Sequence, residues 1–461
     1  MKILIKNGHL IDPSQNIDNI CDILIENGKI QEVSLLRRPD EAGSKKSEVK
    51  KIRNLEDEKK KENKKILTSQ PLNVPTSDLK IIDAKGLYVL PGFVDMHVHL
   101  REPGFEYKET IKTGTEAAVR GGFTSVCCMP NTNPVNDNSS VTEFVKRKAI
   151  QEGFCTVYPI GAITKGQKGE ELAEFSIMHD AGCIAFSDDG RPVKESLMMR
   201  RALEYSKILD VPIISHCEDL SLSSEGVMNE GLLSVTLGLQ GIPAQAEEII
   251  VARDISLAEL TGARLHIAHI STAGSVELMR TAKKRGIADI TAETCPHYFS
   301  ATEEAVKGYN TNAKVSPPLR TKADVEAIKQ GLADGTIDVI ATDHAPHHSD
   351  EKLLEFDRAP LGISGLETAF GLCMKLVDEG VITLKGLVEK MAVTPSRIMR
   401  IKKGTLKPGS DADLVIVDTK KEYTVNKADF RSKGKNTPFD GMSLKGAAVI
   451  TICKGKIYKW D

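Results

Sequence analysis

About eight apolar, strand-like runs alternate with helical stretches through the middle of this chain. They end near His99, Cys128, Ile160, Ser187, His216, His269, Glu293 and Asp343. Intervening stretches such as 195–209 and 244–261 carry apolar residues at helical spacing. Strands that alternate with helices form parallel sheets, and eight such units close into a barrel. The middle of the chain is therefore predicted to be an α/β fold of the TIM-type (β/α)8 class.

Both ends of the chain differ from the middle, because their sequence pattern predicts mainly β-strands. Asn-Gly pairs follow apolar runs at residues 7–8 and 27–28, and such pairs are typical of hairpin turns. Further strand-like runs occur at 412–417 and 448–453. We expect the two ends to pair into one small β-sandwich domain. The predicted division is 1–85 for its N-terminal part, 86–400 for the barrel and 401–461 for its C-terminal part.

A segment rich in Lys and Glu, at about 37–77, interrupts the N-terminal region. Its few apolar residues predict a flexible or partly helical insertion that is solvated. A basic segment for docking a partner is the alternative, but acidic residues offset much of its charge. The flanks at 30–33 and 79–82 are predicted to be neighbouring strands that a short loop can join.

Charge and composition narrow the classes of partner. The net charge of −2 at pH 7 gives no electrostatic case for binding nucleic acid or an anionic membrane. No run approaches the roughly eighteen apolar residues of a membrane-spanning helix, and the start of the chain does not read as a signal peptide. The nine cysteines form no Cys-x-x-Cys pair, a pattern typical of reduced thiols. We therefore expect a cytoplasmic protein with a small-molecule substrate.

His97 and His99 lie on one apolar run, and residues two apart on a strand point to the same side. Two converging imidazoles form half of a metal site, and imidazole suits zinc and its neighbours. The alternative is a pair of packed or solvated histidines. Similar runs end in further ligand types, at His216, His269 and Asp343. His266, three residues before His269, faces the opposite way on its strand and is expected to be structural.

Other polar residues flank these candidate ligands. Arg101 lies just beyond the strand end, where its guanidinium either binds a carboxylate through two parallel hydrogen bonds or makes a surface salt bridge. Asn131, in a loop that follows the second strand, either contacts substrate or shapes the turn. The segment 343–348 offers one acid and three histidines, of which only some can reach the site.

The motifs His-Val-His-Leu-Arg-Glu-Pro-Gly at 97–104 and Asp-His-Ala-Pro-His at 343–347 together resemble those of the bacterial class I dihydroorotases, in the amidohydrolase superfamily. Segments 129–132, 185–190, 315–320 and 361–363 also match that family. The resemblance covers nearly the whole chain apart from the Lys/Glu-rich insertion. It implies a (β/α)8 barrel with a small β-sandwich built from both chain ends. It also implies the reversible, zinc-dependent cyclisation of N-carbamoyl-L-aspartate to L-dihydroorotate in de novo pyrimidine biosynthesis.

The resemblance also implies a set of site residues. One or two Zn²⁺ ions would be held by His97, His99, Asp189, His216, His269 and Asp343. In this assignment Asp189, rather than Asp188, bridges the metals, and Asp343 is also the catalytic acid and base. The substrate contacts implied are Arg101, Asn131 and His347 for the carboxylate, with Leu361 and Gly362 lining the pocket. Ser316 stands where the family usually has Asn, so we expect a weaker or water-bridged substrate contact there.

Two alternative functions are considered. Hydantoinases, dihydropyrimidinases and allantoinases share the barrel but usually bridge their metals with a carboxylated lysine, and residues 183–189 contain no lysine. A non-catalytic, dihydroorotase-like scaffold for aspartate carbamoyltransferase would have lost metal ligands, and this chain retains every one assigned above. We expect a homo-oligomer, with aspartate carbamoyltransferase as a candidate macromolecular partner.

Overall fold

The computed structural model describes residues 2–35, 67–68, 79–287 and 289–460. Within these ranges no helix has the length and apolar character needed to cross a membrane. The strands are β1 (Lys2–Asp12), β2 (Ile17–Glu26), β3 (Lys29–Leu35), β4 (Leu67–Thr68), β5 (Leu79–Asp83), β6 (Tyr88–Pro91), β7 (Phe93–Val98), β8 (Phe123–Cys128), β9 (Thr156–Pro159), β10 (Ile213–Ser215), β11 (Met228–Asn229), β12 (Gly241–Ile242), β13 (Leu265–Ile267), β14 (Ile290–Thr294), β15 (Val339–Ile340), β16 (Leu414–Thr424), β17 (Ser443–Cys453) and β18 (Lys456–Lys459). The α-helices are α1 (Ile111–Arg120), α2 (Ser139–Glu152), α3 (Phe175–Ala181), α4 (Ser196–Leu209), α5 (Leu220–Ser223), α6 (Leu232–Leu237), α7 (Gln245–Thr261), α8 (Ala273–Lys284), α9 (Pro296–Ser300), α10 (Lys322–Ala333), α11 (Ser349–Lys352), α12 (Ala369–Asp378), α13 (Leu384–Val388) and α14 (Thr394–Ile398).

Eight parallel strand segments form a closed ring. β7, β8 and β9 pair in parallel, and β10, β13, β14 and β15 form a second parallel run. Parallel bridges from Phe186 to Gly161 and to Ile213 place a fourth segment between the two runs. A parallel bridge between Val98 and His344 closes the ring. The predicted (β/α)8 barrel is therefore confirmed, and its strands end where the sequence pattern places them.

The inside of the barrel is a packed core. Apolar side chains from successive strands fill it, including Cys127, Ile160, Ala185, Ile214 and Ala268, all of them buried. The outward-facing side chains pack under the helices, where the Phe175 ring of α3 stacks on the Phe186 ring at 3.9 Å between centroids. Because the interior is filled, polar residues at the strand ends face the open, carboxyl end of the barrel.

Strands from both chain ends form one nine-stranded sheet, in the order β18-β17-β16-β6-β1-β2-β3-β4, with β5 paired to β1. Ile5 and Ile23 from its first half share a buried core with Ile416 and Ile452 from its second half. The sheet therefore folds over a single core, as expected for a small β-sandwich made from both ends. It extends to Pro91, past the predicted boundary at 85, because β6 pairs with β16. The division into 1–85, 86–400 and 401–461 otherwise stays a prediction.

The predicted insertion at 37–77 lies outside the described residues, except for β4. That strand pairs in parallel with β3, so at this point the segment is neither loop nor helix. The prediction that the two flanks are neighbouring strands is wrong. β5 pairs in parallel with β1, and both β1 and β2 separate it from β3. Neighbouring strands lie about 4.8 Å apart, so three spacings, or ~14 Å across the sheet, separate the two flanks. The local apolar pattern does not reveal this separation.

Candidate active site

Six side chains that the sequence analysis selected as metal ligands meet at the carboxyl end of the barrel. They lie at or just after the ends of β7, the Phe186 segment, β10, β13 and β15, and all are buried: His97, His99, Asp189, His216, His269 and Asp343. The prediction from alternation assumed a regular strand, whereas β7 changes register between Asp95 and Val98. Such an irregularity re-aims side chains, and the His97 and His99 rings still converge, with centroids 5.4 Å apart.

Asp189 lies at the centre of this group. One set of ligand atoms comes from His97, His99 and Asp189, and a second from Asp189, His216 and His269. Asp189 Oδ1 lies 3.3 Å from His97 Nε2 and 3.4 Å from His216 Nδ1, while Oδ2 lies 3.5 Å from His99 Nε2. The same carboxylate is therefore shared between both sets, which is the arrangement that a bridging ligand requires.

Asp343 lies beside the first set of ligands. Its Oδ1 is 3.0 Å from His99 Nε2 and 3.4 Å from His97 Nε2. Burial raises the pKa of Asp343, but the charges of His97 and His99 outweigh this and hold the pKa below its ordinary value. Asp343 is therefore placed to act as a base at neutral pH, next to the ligand atoms.

The outer nitrogens of three histidines are held by acceptors. His97 Nδ1 donates to Glu293 Oε1 at 2.7 Å, and His99 Nδ1 donates to Asn131 Oδ1 at 2.9 Å. His216 Nε2 donates to Glu218 Oε2 at 3.1 Å. Each bond orients its imidazole so that the other nitrogen faces the centre, where His216 Nδ1 also lies 2.7 Å from His269 Nε2. A metal that displaced the protons held there would be offered nitrogen and carboxylate lone pairs.

Two buried atoms of this centre support that fit. His97 Nε2 and Asp189 Oδ1 are each buried without a hydrogen-bond partner, although they lie only 3.3 Å apart. Buried polar atoms nearly always have a partner, so the unpaired atoms are those that a metal ion would satisfy. The donor set of imidazoles and carboxylates suits zinc and neighbouring divalent metals. The residues present therefore fit the metal that the family resemblance implies.

The charged side chains of the centre shift one another's pKa values. Burial lowers the pKa of His97, but the charges of Asp189 and Asp343 hold it well above the ordinary value. Burial raises the pKa of Asp189, yet His97, His216 and His269 hold it well below the ordinary value. Ligand nitrogens that take up protons from water in this way release them when a metal binds.

Asp188 has a different environment from its neighbour Asp189. Its Oδ1 accepts from the backbone N–H groups of Ile163 and Thr164, at 2.8 and 3.1 Å, and its Oδ2 accepts from the Thr164 hydroxyl. Burial raises the pKa of Asp188 to about 6. Asp188 therefore holds the loop after β9, and only Asp189 faces the histidines.

The residues predicted to bind a carboxylate lie together beside the centre. Arg101 Nε donates to the Pro346 carbonyl at 3.2 Å, and its Nη2 lies 3.3 Å from His347 Nε2. His347 Nε2 lies 2.8 Å from the Leu361 carbonyl, to which it can donate. Gly362 has φ +144°, and a Cβ there would lie 2.6 Å from the Ala345 carbonyl oxygen. Glycine at this position thus lets the loop carrying Leu361 pack directly on the loop carrying His347.

The three histidines of 343–348 have separate surroundings. His347 is buried, and burial together with the charges of Arg101 and Lys108 holds its pKa well below the ordinary value, so the ring is neutral at neutral pH. His344 Nε2 lies 3.4 Å from Glu109 Oε2, away from the ligand atoms. The exposed ring of His348 caps the first turn of α11 through the Asp350 N–H. Of the three, only His347 lies beside Arg101.

Two of the predicted substrate contacts are placed differently. Asn131 lies next to the site, but its Oδ1 is engaged by His99, so it orients a ligand histidine. Ser316 is half-buried, and the next residue, Pro317, is anchored by the Tyr298 hydroxyl at 2.7 Å rather than by the metal centre. A substrate contact by Asn131 or Ser316 stays a prediction.

Sequence reasoning missed the residues that support the ligands. Glu293 Oε2 also accepts from His266 Nε2 at 3.2 Å, so His266 supports the carboxylate that holds His97. Glu293 is the last residue but one of β14, the seventh barrel strand, and an acid so near the carboxyl end of a barrel strand could have indicated a role at the site. Glu218 follows His216 by two residues, but an acid so close to a histidine is common and carries little information.

A closed parallel barrel with a shared carboxylate among histidines at its carboxyl end defines a metal-dependent hydrolase of the amidohydrolase type. The family model described as "Dihydro-orotase-like" matches residues 86–275. The dihydroorotases of Syntrophus aciditrophicus (strain SB) and Geobacter metallireducens are each 52% identical to the chain over 457 residues, 99% of both proteins. That of Acetivibrio thermocellus is 52% identical over 456 residues, 99% of this chain and 98% of that protein. The chain belongs to the dihydroorotase family.

Solved structures agree on the fold. The L-hydantoinase (dihydropyrimidinase) from Arthrobacter aurescens superposes with a TM-score of 0.82 at 25% identity, covering 99% of this chain and 95% of that chain. The dihydropyrimidinase from Brevibacillus agri superposes with a TM-score of 0.79 at 22% identity and the same coverage, which speaks for the fold alone. The sequence is thus far more similar to dihydroorotases than to these structural neighbours.

Proposed function

We propose that this chain catalyses the reversible ring closure of N-carbamoyl-L-aspartate to L-dihydroorotate. The observation that carries the proposal is the Arg101–His347 pair beside the His/Asp centre, in a chain whose full-length relatives are dihydroorotases. The Arg101 guanidinium has further N–H donors for a carboxylate, and the neutral His347 ring can turn its Nε2–H from the Leu361 carbonyl to such a group. Hydantoin and allantoin lack that carboxylate, so the pair favours dihydroorotate over them.

Zinc is the metal we propose. His97, His99 and Asp343 would hold one ion, His216 and His269 a second, and Asp189 would contact both. When bound, a divalent metal polarises the amide carbonyl and lowers the pKa of water from ~15.7 towards ~7. The buried, unpaired atoms of His97 and Asp189 support this assignment.

Asp343 moves the proton in the reaction that we propose. In ring opening, the oxygen of a water molecule forms a bond to the ring carbonyl carbon, and Asp343 accepts a proton from that water. The C–N bond of the ring amide then breaks, and Asp343 delivers the proton to the leaving nitrogen. In ring closure the same steps run backwards, so Asp343 begins protonated. Arg101 and His347 hold the carboxylate that does not react and so fix the ring beside Asp343.

A turnover assay across three substrates tests the function. Purified enzyme should open dihydroorotate and act poorly on hydantoin and allantoin. Removing metal with a chelator should abolish turnover, and adding Zn²⁺ back should restore it. Turnover that survives complete metal removal, or a preference for hydantoin or allantoin, would overturn the proposal. A protein that binds metal but opens none of the three rings would point to the non-catalytic scaffold.

Arg101→Lys keeps the charge but loses the planar fork that binds a carboxylate through two parallel bonds. We expect kcat/KM for dihydroorotate to fall by at least ~10-fold, equivalent to 1.4 kcal/mol. Metal content should stay unchanged, because Arg101 contacts Pro346 and His347 rather than a ligand atom. Steady-state kinetics and elemental analysis on one preparation check this. An unaltered kcat/KM would exclude Arg101 from carboxylate binding.

We also propose a cytoplasmic homo-oligomer, with aspartate carbamoyltransferase as a candidate partner.

Deleting residues 38–77 tests whether the Lys/Glu-rich segment is remote from the chemistry. β3 and β5 run parallel, so the linker must return about 20 Å along the strands as well as cross ~14 Å of sheet. A Gly/Ser linker of about twenty residues, with a mean span of roughly 25 Å, is therefore needed. We expect turnover to stay near wild type. Loss of turnover in a folded, metal-loaded deletion variant would contradict the prediction, and loss only of carbamoyltransferase binding would favour the docking alternative.

A further inference from the structure

A segment from the C-terminal part of the chain reaches the candidate active site. Residues 430–437, which we name the C-terminal strap, precede β17 and cross from the sheet to the barrel. The Ser432 hydroxyl donates to Glu109 in the loop after β7, and the Gly434 carbonyl oxygen lies 2.9 Å from the Ser364 hydroxyl oxygen. The strap packs tightly there, because a Cβ on Gly434 would lie 2.4 Å from Pro346 Cβ.

Asn436 makes the central contacts of the strap and is only 2% exposed. Its Oδ1 accepts from the His347 N–H and from the Ser364 hydroxyl, each at 2.9 Å. Its Nδ2 donates to the Ala345 carbonyl at 3.0 Å and to the Gly362 carbonyl at 2.9 Å. The oxygen and the nitrogen of this amide thus each bind both the 345–347 loop and the 362–364 loop.

These two loops carry the residues that we assign to the substrate carboxylate. The first contains His347 and the Pro346 carbonyl on which Arg101 rests. The second adjoins Leu361, whose carbonyl lies 2.8 Å from His347 Nε2. An asparagine amide has two donors and two acceptor lone pairs, and here all four are used to join the loops. No other uncharged side chain of this size offers that combination.

We propose that Asn436 is a positioning residue for the substrate carboxylate, holding Arg101 and His347 in place from outside the barrel. It contacts neither the metal ligands nor the space beside Asp343, so it acts through the two loops alone. The proposal rests on the function proposed above, because it assumes that Arg101 and His347 bind a carboxylate.

Asn436→Ala is the first test. The His347 N–H and the Ala345 and Gly362 carbonyls would lose their buried partner, and the loops would shift. Misplacing a substrate-binding group by about 1 Å can cost ~100-fold, so we expect KM for dihydroorotate to rise by about 10- to 100-fold. We expect kcat to change by less than about 3-fold and metal content to stay at the wild-type level, because the centre itself is untouched.

Asp12→Ala is the matched control for a loss of stability. Asp12 is also fully buried and also joins a distant segment to its own, accepting from the Leu406 N–H at 2.8 Å and from the nearby Ser14 N–H at 3.0 Å. It lies in the sheet, away from the barrel's carboxyl end. We expect this variant to lower the melting temperature about as much as Asn436→Ala does and to leave KM unchanged. If Asn436→Ala does not fold, Asn436→Ser, which keeps one polar group, replaces it.

A double-mutant cycle with Arg101→Lys separates positioning from general destabilisation. If Asn436 acts through Arg101 and His347, its removal should raise KM by clearly less in the Arg101→Lys background than in the wild type, where both groups are displaced. Full additivity of the two effects, or an unchanged KM in the Asn436 variant, would overturn the inference. A wild-type enzyme that does not open dihydroorotate would instead refute the proposed function, so the two failures are distinguishable.

Discussion

Asp343→Asn should lower turnover of dihydroorotate by at least ~100-fold, the lower scale of general acid–base catalysis. The substitution keeps the size of the side chain but removes the group that accepts a proton. His97 and His99 hold the pKa of Asp343 below its ordinary value despite its burial, so the wild-type residue is a ready base at neutral pH. An amide cannot replace it in either direction of the reaction.

Metal content distinguishes a loss of the catalytic base from a loss of the bound metal, since either would lower turnover. Asp343 is one of the proposed ligands, but His97, His99 and Asp189 form a complete set of ligand atoms without it. We therefore expect Asp343→Asn to retain metal while losing turnover. Asp350→Asn, on the exposed start of α11, is the control and should match the wild type. Near-normal turnover with metal retained would show that Asp343 is not the acid and base.

The barrel and the convergence of most candidate ligands could be predicted from the sequence because both follow from local pattern. Apolar runs identify strands, helical spacing identifies helices, and parallel strands bring their carboxyl ends together. His216, His269 and Asp343 therefore converge although they are distant along the chain. The prediction that His97 and His99 point to the same side holds despite the irregularity in β7, because both rings still face the centre.

Features that depend on long-range pairing could not be predicted. Nothing local indicates that β5 pairs with β1 and not with β3, since both neighbours present the same apolar pattern. Asn436 lies in a polar loop, and its four hydrogen bonds reach residues more than 70 positions away. Such contacts are set by how the sheet packs against the barrel, which has no signature in composition or spacing.

Two lysines illustrate the same limit, because lysine is ordinarily a surface residue. Lys352 is buried and donates to the Thr311 and Pro360 carbonyls, at 3.0 and 2.7 Å. Burial lowers its pKa to about 7. Lys314 is buried as well and donates to the Ala359 carbonyl at 2.7 Å. Both fix the backbone that leads to Leu361, a role that only the tertiary structure reveals.

Asp189→Asn should empty the centre of metal and abolish turnover with it. Asp189 is the one residue shared by both sets of ligand atoms, and its two oxygens face different histidines. Removing a partner that merely orients a ligand costs ~10- to 100-fold in metal affinity, so losing the shared ligand should cost more than that. An amide carries no negative charge, so of the proposed ligands Asp343 alone would still supply one.

Asp188→Asn is the matched control, since it makes the same change one residue earlier. Asp188 is also buried, but it binds the backbone of Ile163 and Thr164 and faces no histidine. We expect this variant to lower the melting temperature while keeping its metal, whereas Asp189→Asn should lose metal with a smaller effect on the apo protein's stability. Elemental analysis and thermal unfolding of both variants, with and without added Zn²⁺, measure this. If Asp188→Asn loses the metal and Asp189→Asn retains it, the bridging carboxylate has been assigned to the wrong residue; if both retain it, the centre does not need a shared carboxylate.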